Sequence, residues 1–286
     1  MKKQLSISLL LTLLLSMTGI KAYAHDFEVA NADGQTIYYV YNNGSDGTTV
    51  SVSCRGDNYW TYSDEYSGDI VIPESVTYNE KIYSVTSIGY EAFQNCSGLT
   101  SVAIGSGVTT IGSSAFQNCS GLTSVTIGSG VTTIGSSAFS WTNLKKTIWL
   151  CNTPPSGYTN ASGTVNYVSN NNFSSLSNVK VYQFLSSLFE VDGIKYVPVS
   201  PSERTCDAID CVYNETAADT KILSTVTYKG ISLTVKNIQP YIAYNNKYIE
   251  NLTLDNEGAI ADYAFNNCNK MKTASIGERI TSSATV

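Results

Sequence analysis

Two consecutive stretches of the chain are almost identical, and they decide the fold. Residues 88–110 read IGYEAFQNCSGLTSVAIGSGVTT, and residues 111–133 read IGSSAFQNCSGLTSVTIGSGVTT. A third copy begins IGSSAFSWTNLKKTIWL at Ile134, again 23 residues further on, and two looser copies begin at Ile238 and Ile260. A unit of 23 residues cannot bury its own apolar side chains. The repetition therefore predicts stacked turns of a solenoid, each covering the next.

The pattern within each copy predicts a strand followed by a tight turn. Leu-x-x-Val-x-Ile places Val102 and Ile104 on one face of a strand and Ser101 on the other. Residues 92–96 are too few for a helix, so they predict a short turn on the convex side. Phe93 should point inward from this turn. The phenylalanines of successive copies should then form one column, and their strands should pair in parallel.

These repeats resemble a known family. The pattern Ile-Gly-x-x-Ala-Phe-x-x-Cys-x-x-Leu-x-x-Val-x-Ile is similar to the BspA-like leucine-rich repeats of bacterial and some protozoan surface proteins. It is carried by Ile88, Gly89, Ala92, Phe93, Cys96, Leu99, Val102 and Ile104. The resemblance implies a leucine-rich repeat solenoid, mostly β, with a parallel strand ladder and short convex turns. It also implies a role in adhesion to host matrix proteins and in co-aggregation.

The remaining sequence predicts a duplicated organisation. Residues 1–24 are predicted to be a signal peptide, and residues 25–87 an N-terminal β-hairpin module. Residues 88–187 form the first repeat array with a degenerate closing coil. Residues 188–237 resemble the first hairpin module, and residues 238–286 form a second, apparently truncated array. We expect the hairpin modules to cap the N-terminal side of the two arrays.

The N-terminus predicts export. Lys2 and Lys3 precede a mostly apolar stretch over residues 7–15, and Ala22-Tyr23-Ala24 provides a small-x-small cleavage site. An uncleaved anchor is the alternative, but the apolar stretch is shorter than the ~20 residues that a membrane span requires. We therefore expect a secreted or cell-surface protein with no membrane span after cleavage.

Charge and histidine content exclude several functions. The chain has 17 basic and 23 acidic residues, and removal of residues 1–24, which carry three lysines and no acid, leaves a net charge of −9. A nucleic-acid partner, which requires clustered cations, is not expected. His25 is the only histidine, so Ser-His-Asp and Cys-His catalysis and multi-histidine metal sites are not expected either. We predict a non-enzymatic protein without a cofactor.

Two smaller groups of residues have more than one interpretation. The seven cysteines form no C-x-x-C pair, and Cys206 and Cys211 are the only close pair, so a disulfide between them is left open. Glu203, Asp207 and Asp210 form an acidic cluster. Because it lacks the regular spacing of a calcium loop, we interpret it as a solvated acidic loop.

Two surfaces are candidates for binding. On the concave face of the first array, the row expected to contact a ligand is Ser101, Ser124, Thr126, Thr147 and Trp149. Strand alternation puts Ile148 inward and Trp149 on this face. Trp149 is then either an exposed contact or buried under the following loop. Outside this row, Trp141 should fill the space of a missing cysteine. The second surface is the aromatic cluster of Tyr59, Trp60, Tyr62 and Tyr66, which could stack on sugars, anchor a protein or pack at the edge of the hairpin module.

The combined expectation is an exported recognition module. Its partner should be an extracellular matrix or cell-surface protein, bound through the concave row. A glycan-capture module that uses the N-terminal aromatic residues is the first alternative. A structural spacer, which holds another domain away from the surface, is the second.

Overall fold

The computed structural model describes residues 25–31, 34–44, 47–56, 65–159, 163–200, 202–211, 215–280 and 282–283. The predicted signal peptide, residues 1–24, and the aromatic residues Tyr59, Trp60 and Tyr62 lie outside the described residues. The described chain is almost entirely β-structure, and its only helices are three short 3-10 segments. These span Asn171–Phe173, Leu185–Ser187 and Glu215–Ala218.

The first half of the chain contains thirteen of the described strands. In chain order they are β1 (Phe27–Ala30), β2 (Thr36–Tyr41), β3 (Thr49–Ser53), β4 (Gly68–Ile72), β5 (Ser75–Tyr78), β6 (Lys81–Ile88), β7 (Leu99–Ile104), β8 (Thr110–Ile111), β9 (Ser124–Ile127), β10 (Thr133–Ile134), β11 (Lys146–Trp149), β12 (Val165–Val168) and β13 (Val179–Val181).

The second half contains the other ten described strands. They are β14 (Phe189–Val191), β15 (Ile194–Ser200), β16 (Thr205–Cys211), β17 (Asp219–Ile222), β18 (Thr225–Tyr228), β19 (Ile231–Ile238), β20 (Asn251–Leu254), β21 (Ala259–Ile260), β22 (Thr273–Ile276) and β23 (Ser282–Ser283).

Each repeat of the first half crosses two sheets. The strands β4, β7, β9, β11, β12 and β13 pair in parallel and form what we call the repeat sheet. On the other side of the interior, β3, β6, β8 and β10 also pair in parallel. The antiparallel strands β1, β2 and β5 extend this second sheet. The parallel pairing of successive repeats agrees with the alternation in the sequence.

An aromatic column fills the interior between the two sheets. The rings of Phe93 and Phe116 stack at 4.8 Å, and those of Phe116 and Phe139 stack at 5.2 Å. Tyr66 extends the column before Phe93, and Tyr158 extends it after Phe139. Tyr66 is therefore buried in the core, and its predicted place in an aromatic binding cluster is wrong. The predicted phenylalanine column is confirmed. Since the rings bury large apolar areas against one another, the column links successive repeats energetically.

The turns that contain the phenylalanines depend on residues with left-handed backbone geometry. In each repeat, the residues two before and two after the phenylalanine have positive φ, for example Glu91 at 57° and Asn95 at 64°. Asparagine tolerates this region better than most residues, because its short amide bonds locally. The side chain of Asn118 donates to Oδ1 of Asn95 at 3.0 Å, so the corner positions are themselves linked between repeats.

The second half repeats the strand order of the first. The first half has the order β1-β2-β3-β6-β8-β10 with β5 beside β6, and the second has β14-β15-β16-β19-β21-β23 with β18 beside β19. The repeat strands β17, β20 and β22 form a separate parallel sheet. The two halves have separate apolar cores, and a third cluster joins them.

Candidate functional site

The outer face of the repeat sheet carries two rows of side chains, which the strand register aligns. One row contains Asp69, Ser101, Ser124, Lys146 and Val165. The neighbouring row contains Val71, Ala103, Thr126, Ile148 and Tyr167. These rows are the face on which the sequence predicted a binding site.

The placement of Trp149 and Thr147 on this face is wrong. Thr147 pairs with Val125 and Trp149 pairs with Ile127, so both side chains point into the interior, where they are buried. The indole of Trp149 donates to Oδ1 of Asn166 at 2.9 Å. Of the two alternatives for Trp149, exposed contact and burial, burial is correct, although the tryptophan lies in the core rather than under a loop.

A missing residue explains this error. Leu122 follows Phe116 by six positions, whereas Leu144 follows Phe139 by five. Because side chains alternate along a strand, the loss of one residue before β11 exchanges its two faces.

Trp141 also differs from expectation: its side chain is 77% exposed and does not fill the space of a cysteine.

The other predicted contact residues are in different environments. Ser101, Ser124 and Thr126 do lie on the outer face. Ser101 is partly exposed, whereas Ser124 and Thr126 are buried. Only Ser101 among the five predicted contacts of this row is therefore accessible in the structure.

The second half of the chain covers the C-terminal part of the outer face. Ile148, Val165 and Tyr167 from the repeat sheet pack with Val197 and Ile209 from β15 and β16. All seven residues of β16 are buried. The apolar contact explains why Ile148, Val165 and Tyr167 are inaccessible although they lie on the outer face.

A buried ion cluster lies in the same contact. Asp210 on β16 forms ion pairs with Lys146 and, at 2.9 Å, with Lys195. Nζ of Lys146 also donates to the backbone carbonyls of Tyr241 and Ile242 at 3.1 and 3.0 Å. Burial disfavours the charge on Asp210, but the charges of the two lysines outweigh burial and hold its pKa below the usual value.

Asp207 forms a second polar connection. Its carboxylate accepts from the hydroxyl of Tyr182 at 2.8 Å, the backbone N–H of Asn237 at 3.0 Å and the side-chain amide of Gln239 at 2.8 Å. The interpretation of Asp207 and Asp210 as a solvated loop is wrong, because both lie buried in a strand. Glu203 alone is exposed.

Sequence reasoning missed this ion cluster. One available signal was the position of Lys146, which falls in register with Ser101 and Ser124. Another was the segment TCDAIDC (205–211), in which two acids interrupt small and apolar residues. Buried charges are normally paired, so a lysine and an aspartate in such settings suggest partners for each other.

The accessible remainder of the outer face lies at its N-terminal end. We call the residues Asp69, Val71, Thr100, Ser101 and Ala103 the open patch. The side chain of Val71 is 42% exposed, and the hydroxyls of Thr100 and Ser101 each donate to Oδ1 of Asp69 at 2.8 Å. The patch combines an apolar side chain with small polar ones on a rigid sheet, which suits contact with another protein.

A second accessible region is a cleft between the two halves. This inter-array cleft, with a volume of about 610 Å³, is lined in part by Asn178, Lys180, Tyr241, Asp262 and Tyr263. The rings of Tyr241 and Tyr263 are nearly parallel, with centroids 5.6 Å apart. The cleft thus places an aromatic pair beside amide, ammonium and carboxylate groups.

The cysteines and acids form neither a disulfide nor a metal site among the described residues. All seven cysteines lie in the described part of the chain and are thiols. Cys206 and Cys211 are five residues apart on one extended strand, roughly 17 Å, which is far beyond the reach of a disulfide. In the same part of the chain, no group of three or more His, Cys, Asp and Glu side chains could hold a metal. Nor do the described residues include a helix with the length and apolar character of a membrane span.

Several solved structures are similar to the chain at low identity. A leucine-rich repeat protein from Bacteroides ovatus is 20% identical, with a TM-score of 0.34, and the match covers 91% of this chain. The match spans 55% of that protein's structure. A leucine-rich cell surface protein from Faecalibacterium prausnitzii is also 20% identical, with a TM-score of 0.30, and the match covers 90% of this chain and 78% of the other. The pneumococcal vaccine antigen PcpA is 15% identical, with a TM-score of 0.28 and coverages of 90% and 71%.

Comparison with family models is decisive. No curated protein matches the chain. The model of the BspA-type leucine-rich repeat region matches in six copies, over residues 70–193 and 214–285, which is more than half of the chain. Together with the almost all-β architecture, this match establishes the family. The chain belongs to the BspA-type leucine-rich repeat proteins.

Proposed function

We propose that the chain is an exported, non-enzymatic recognition module that binds extracellular matrix or cell-surface proteins through the open patch. In this proposal each array is a short solenoid capped by its hairpin strands, and residues 1–24 direct export. The family is one of protein-interaction repeats, which supports binding as the general activity. The adhesive role and its location on this patch are specific to the proposal.

The observation that carries the proposal is the exposure of Val71 on a rigid surface. Its strand, β4, pairs with β7 over five residues, so the backbone beneath the patch is held in place. Val71 lies in register with Ala103, and the partly exposed Ser101 lies beside Asp69. A preordered patch loses little conformational entropy on binding, which favours affinity from a modest area.

Binding to a panel of purified extracellular matrix proteins, immobilised on a biosensor, tests the proposal. Val71→Asp places a charge in the centre of the patch and should weaken binding at least tenfold, since a desolvated unpaired charge is costly. Ile82→Asp is the matched control, because Ile82 is 66% exposed on the β5–β6 hairpin. Binding that is equally weakened by both variants, or unaffected by Val71→Asp, contradicts the assignment of the patch.

Trp149 is not a suitable probe of binding. Its side chain is fully buried, and its ring contacts Tyr158 and Phe173. Trp149→Ala would therefore reduce adhesion by unfolding the protein, not by removing a contact. A loss of binding in that variant would not distinguish the two effects.

A glycan-capture module is the second candidate, and the inter-array cleft favours it. Aromatic rings stack on sugar faces, while carboxylate and amide groups bond to hydroxyls. The side chain of Tyr263 is about half exposed, so Tyr263→Ala should leave the fold intact. A glycan array with the parent chain and this variant tests the candidate. Sugar binding that Tyr263→Ala abolishes would support the cleft, whereas binding lost only in Trp60→Ala would favour the N-terminal aromatic cluster.

A further inference from the structure

The phenylalanine-containing turns of the first array are joined by a regular row of backbone hydrogen bonds. In the repeat of residues 88–110, every second backbone N–H group of the turn donates to a carbonyl of the next turn at 2.8–3.2 Å. The pairs are Glu91 to Ser113, Phe93 to Ala115 and Asn95 to Gln117. The next turn repeats the arrangement at 2.8–3.0 Å: Ser114 to Ser136, Phe116 to Ala138 and Asn118 to Ser140. Each turn thus offers three donors to the turn that follows it.

The turn of the third repeat offers the same three donors, but the following coil is too short to accept from them. The register pairs Thr133 with Ser156 and Lys146 with Val165. In the third repeat the chain therefore takes thirteen positions, from Thr133 to Lys146, to cross from one sheet to the other. In the following coil it takes only nine, from Ser156 to Val165. The backbone N–H groups of Ser137, Phe139 and Trp141 consequently have no backbone acceptor in the described part of the chain.

These three residues line a cleft of about 330 Å³. Gly157 and Tyr158, from the shortened coil, line it as well. The ring of Tyr158 already contacts Phe139 edge-on, with 6.2 Å between centroids, and so occupies the next place in the aromatic column. An occupant of the cleft therefore needs small side chains where it faces the interior.

Trp141 is the unusual side chain at this cleft. It takes the corner position of Asn95 and Asn118, with φ of 63° and an exposed indole. A bulky residue in left-handed geometry is strained, and strained residues often serve function. Burial does not compensate this strain, because the ring lies largely in solvent beside the uncovered donors.

We propose that this cleft binds a turn-forming segment of a partner protein that is rich in small side chains. The alternate carbonyls of the segment accept from the N–H groups of Ser137, Phe139 and Trp141, as the next turn does in the two preceding repeats. The indole of Trp141 packs over the segment. Main-chain bonds provide affinity and side-chain contacts provide selectivity, as in other cases where a peptide extends a sheet edge. The site is separate from the open patch and does not depend on it.

A synthetic peptide provides the test. The probe is acetyl-Gly-Ser-Ser-Ala-Ala-Ser-amide, which has the sequence of residues 135–140 with alanine in place of Phe139. Titrated into the mature full chain labelled with ¹⁵N, it should shift the amide signals of residues 137, 139 and 141 saturably and slow their hydrogen exchange. Trp141→Ala should weaken the peptide about tenfold, which is typical of an aromatic anchor. Val71→Asp and Ile82→Asp should leave its affinity unchanged.

Three results would overturn the proposal. One is the absence of saturable shifts at millimolar peptide. Another is slow exchange of the three amides before peptide is added, which would show that the chain itself covers them. The third is an equal response to sodium acetate or sodium sulfate, which would assign the donors to a small anion. Because the open patch has its own variant, failure here leaves the matrix-binding proposal standing, and the converse also holds.

Discussion

Replacement of Lys146 with methionine tests the contact between the two halves of the chain. The ammonium group is buried, pairs with Asp210 and donates to two carbonyls of the second half, those of Tyr241 and Ile242. Methionine has a similar volume, so the substitution removes charge and hydrogen bonds without leaving a large cavity. Asp210 then retains Lys195 as its only cation in the described chain.

The expected loss of stability follows from the burial of the pair. Removal of one partner from a buried ion pair costs about 3–5 kcal/mol, because the other charge is left in a poorly polarisable interior. Lys195 still contacts Asp210, and its side chain is 23% exposed, so water partly solvates the remaining pair. We therefore expect the lower end of the range, about 3 kcal/mol in the free energy of unfolding.

Urea denaturation, with hydrogen exchange as a local readout, measures this loss. Lys146→Met should lower the midpoint, and the amides of β16 should exchange faster while those around Phe116 remain protected. Lys145→Met is the matched control: the neighbouring lysine lies over the ring of Tyr244, so its loss should cost less than about 1 kcal/mol.

A double variant separates the ion pair from packing. Lys146→Met with Asp210→Leu replaces the pair by apolar side chains and should recover at least half of the loss, since buried pairs are often replaceable in this way. Parent-like stability of Lys146→Met would show that the buried ion pair does not stabilise the contact between the two halves. An equal effect of Lys145→Met and Lys146→Met on the exchange of β16 would also contradict a specific role for the pair of Lys146 and Asp210.

Three further predictions concern the turns, the charges and the thiols. Trp141→Asn should raise the free energy of unfolding by about 1 kcal/mol, because asparagine tolerates left-handed geometry, and Asn118→Trp should lower it, as thermal unfolding would show. The ionised Asp210 should contribute fully to the free energy of unfolding above its unfolded pKa of about 4, and this contribution should disappear as the pH falls through its lower folded pKa. Acid titration of the parent chain should therefore show a loss of stability in that pH range, and Asp210→Asn should not show it. Burial raises the pKa of Cys206 and of Cys211 to about 12, so both should resist a thiol reagent at pH 8 in the native state, and all seven cysteines should react in denaturant without a reductant. Fewer than seven reactive thiols in that assay would indicate a disulfide and contradict the structure.

The candidate site was only partly predictable from the sequence. The alternation of Ser101, Val102 and Ile104 was interpreted correctly, because it depends only on the local geometry of a strand. The interpretation failed for Trp149, where one missing residue before the strand exchanged its two faces. That error could have been avoided by counting from Phe139 to Leu144. The covering of Ile148 on the outer face could not have been foreseen, because Val197 and Ile209, which pack with it, lie far along the chain.

The repeat alone determined the family, the parallel pairing of successive coils and the phenylalanine column. These features follow from identical units that must bury the same side chains against one another, so the interactions are between neighbouring units and the period specifies them. Only the tertiary structure decided which part of the outer face stays accessible and how the charges of Lys146 and Asp210 are compensated. Lys146 and Asp210 are 64 positions apart, on surfaces whose shapes exist only after each half has folded, so the sequence around one does not identify the other as its partner.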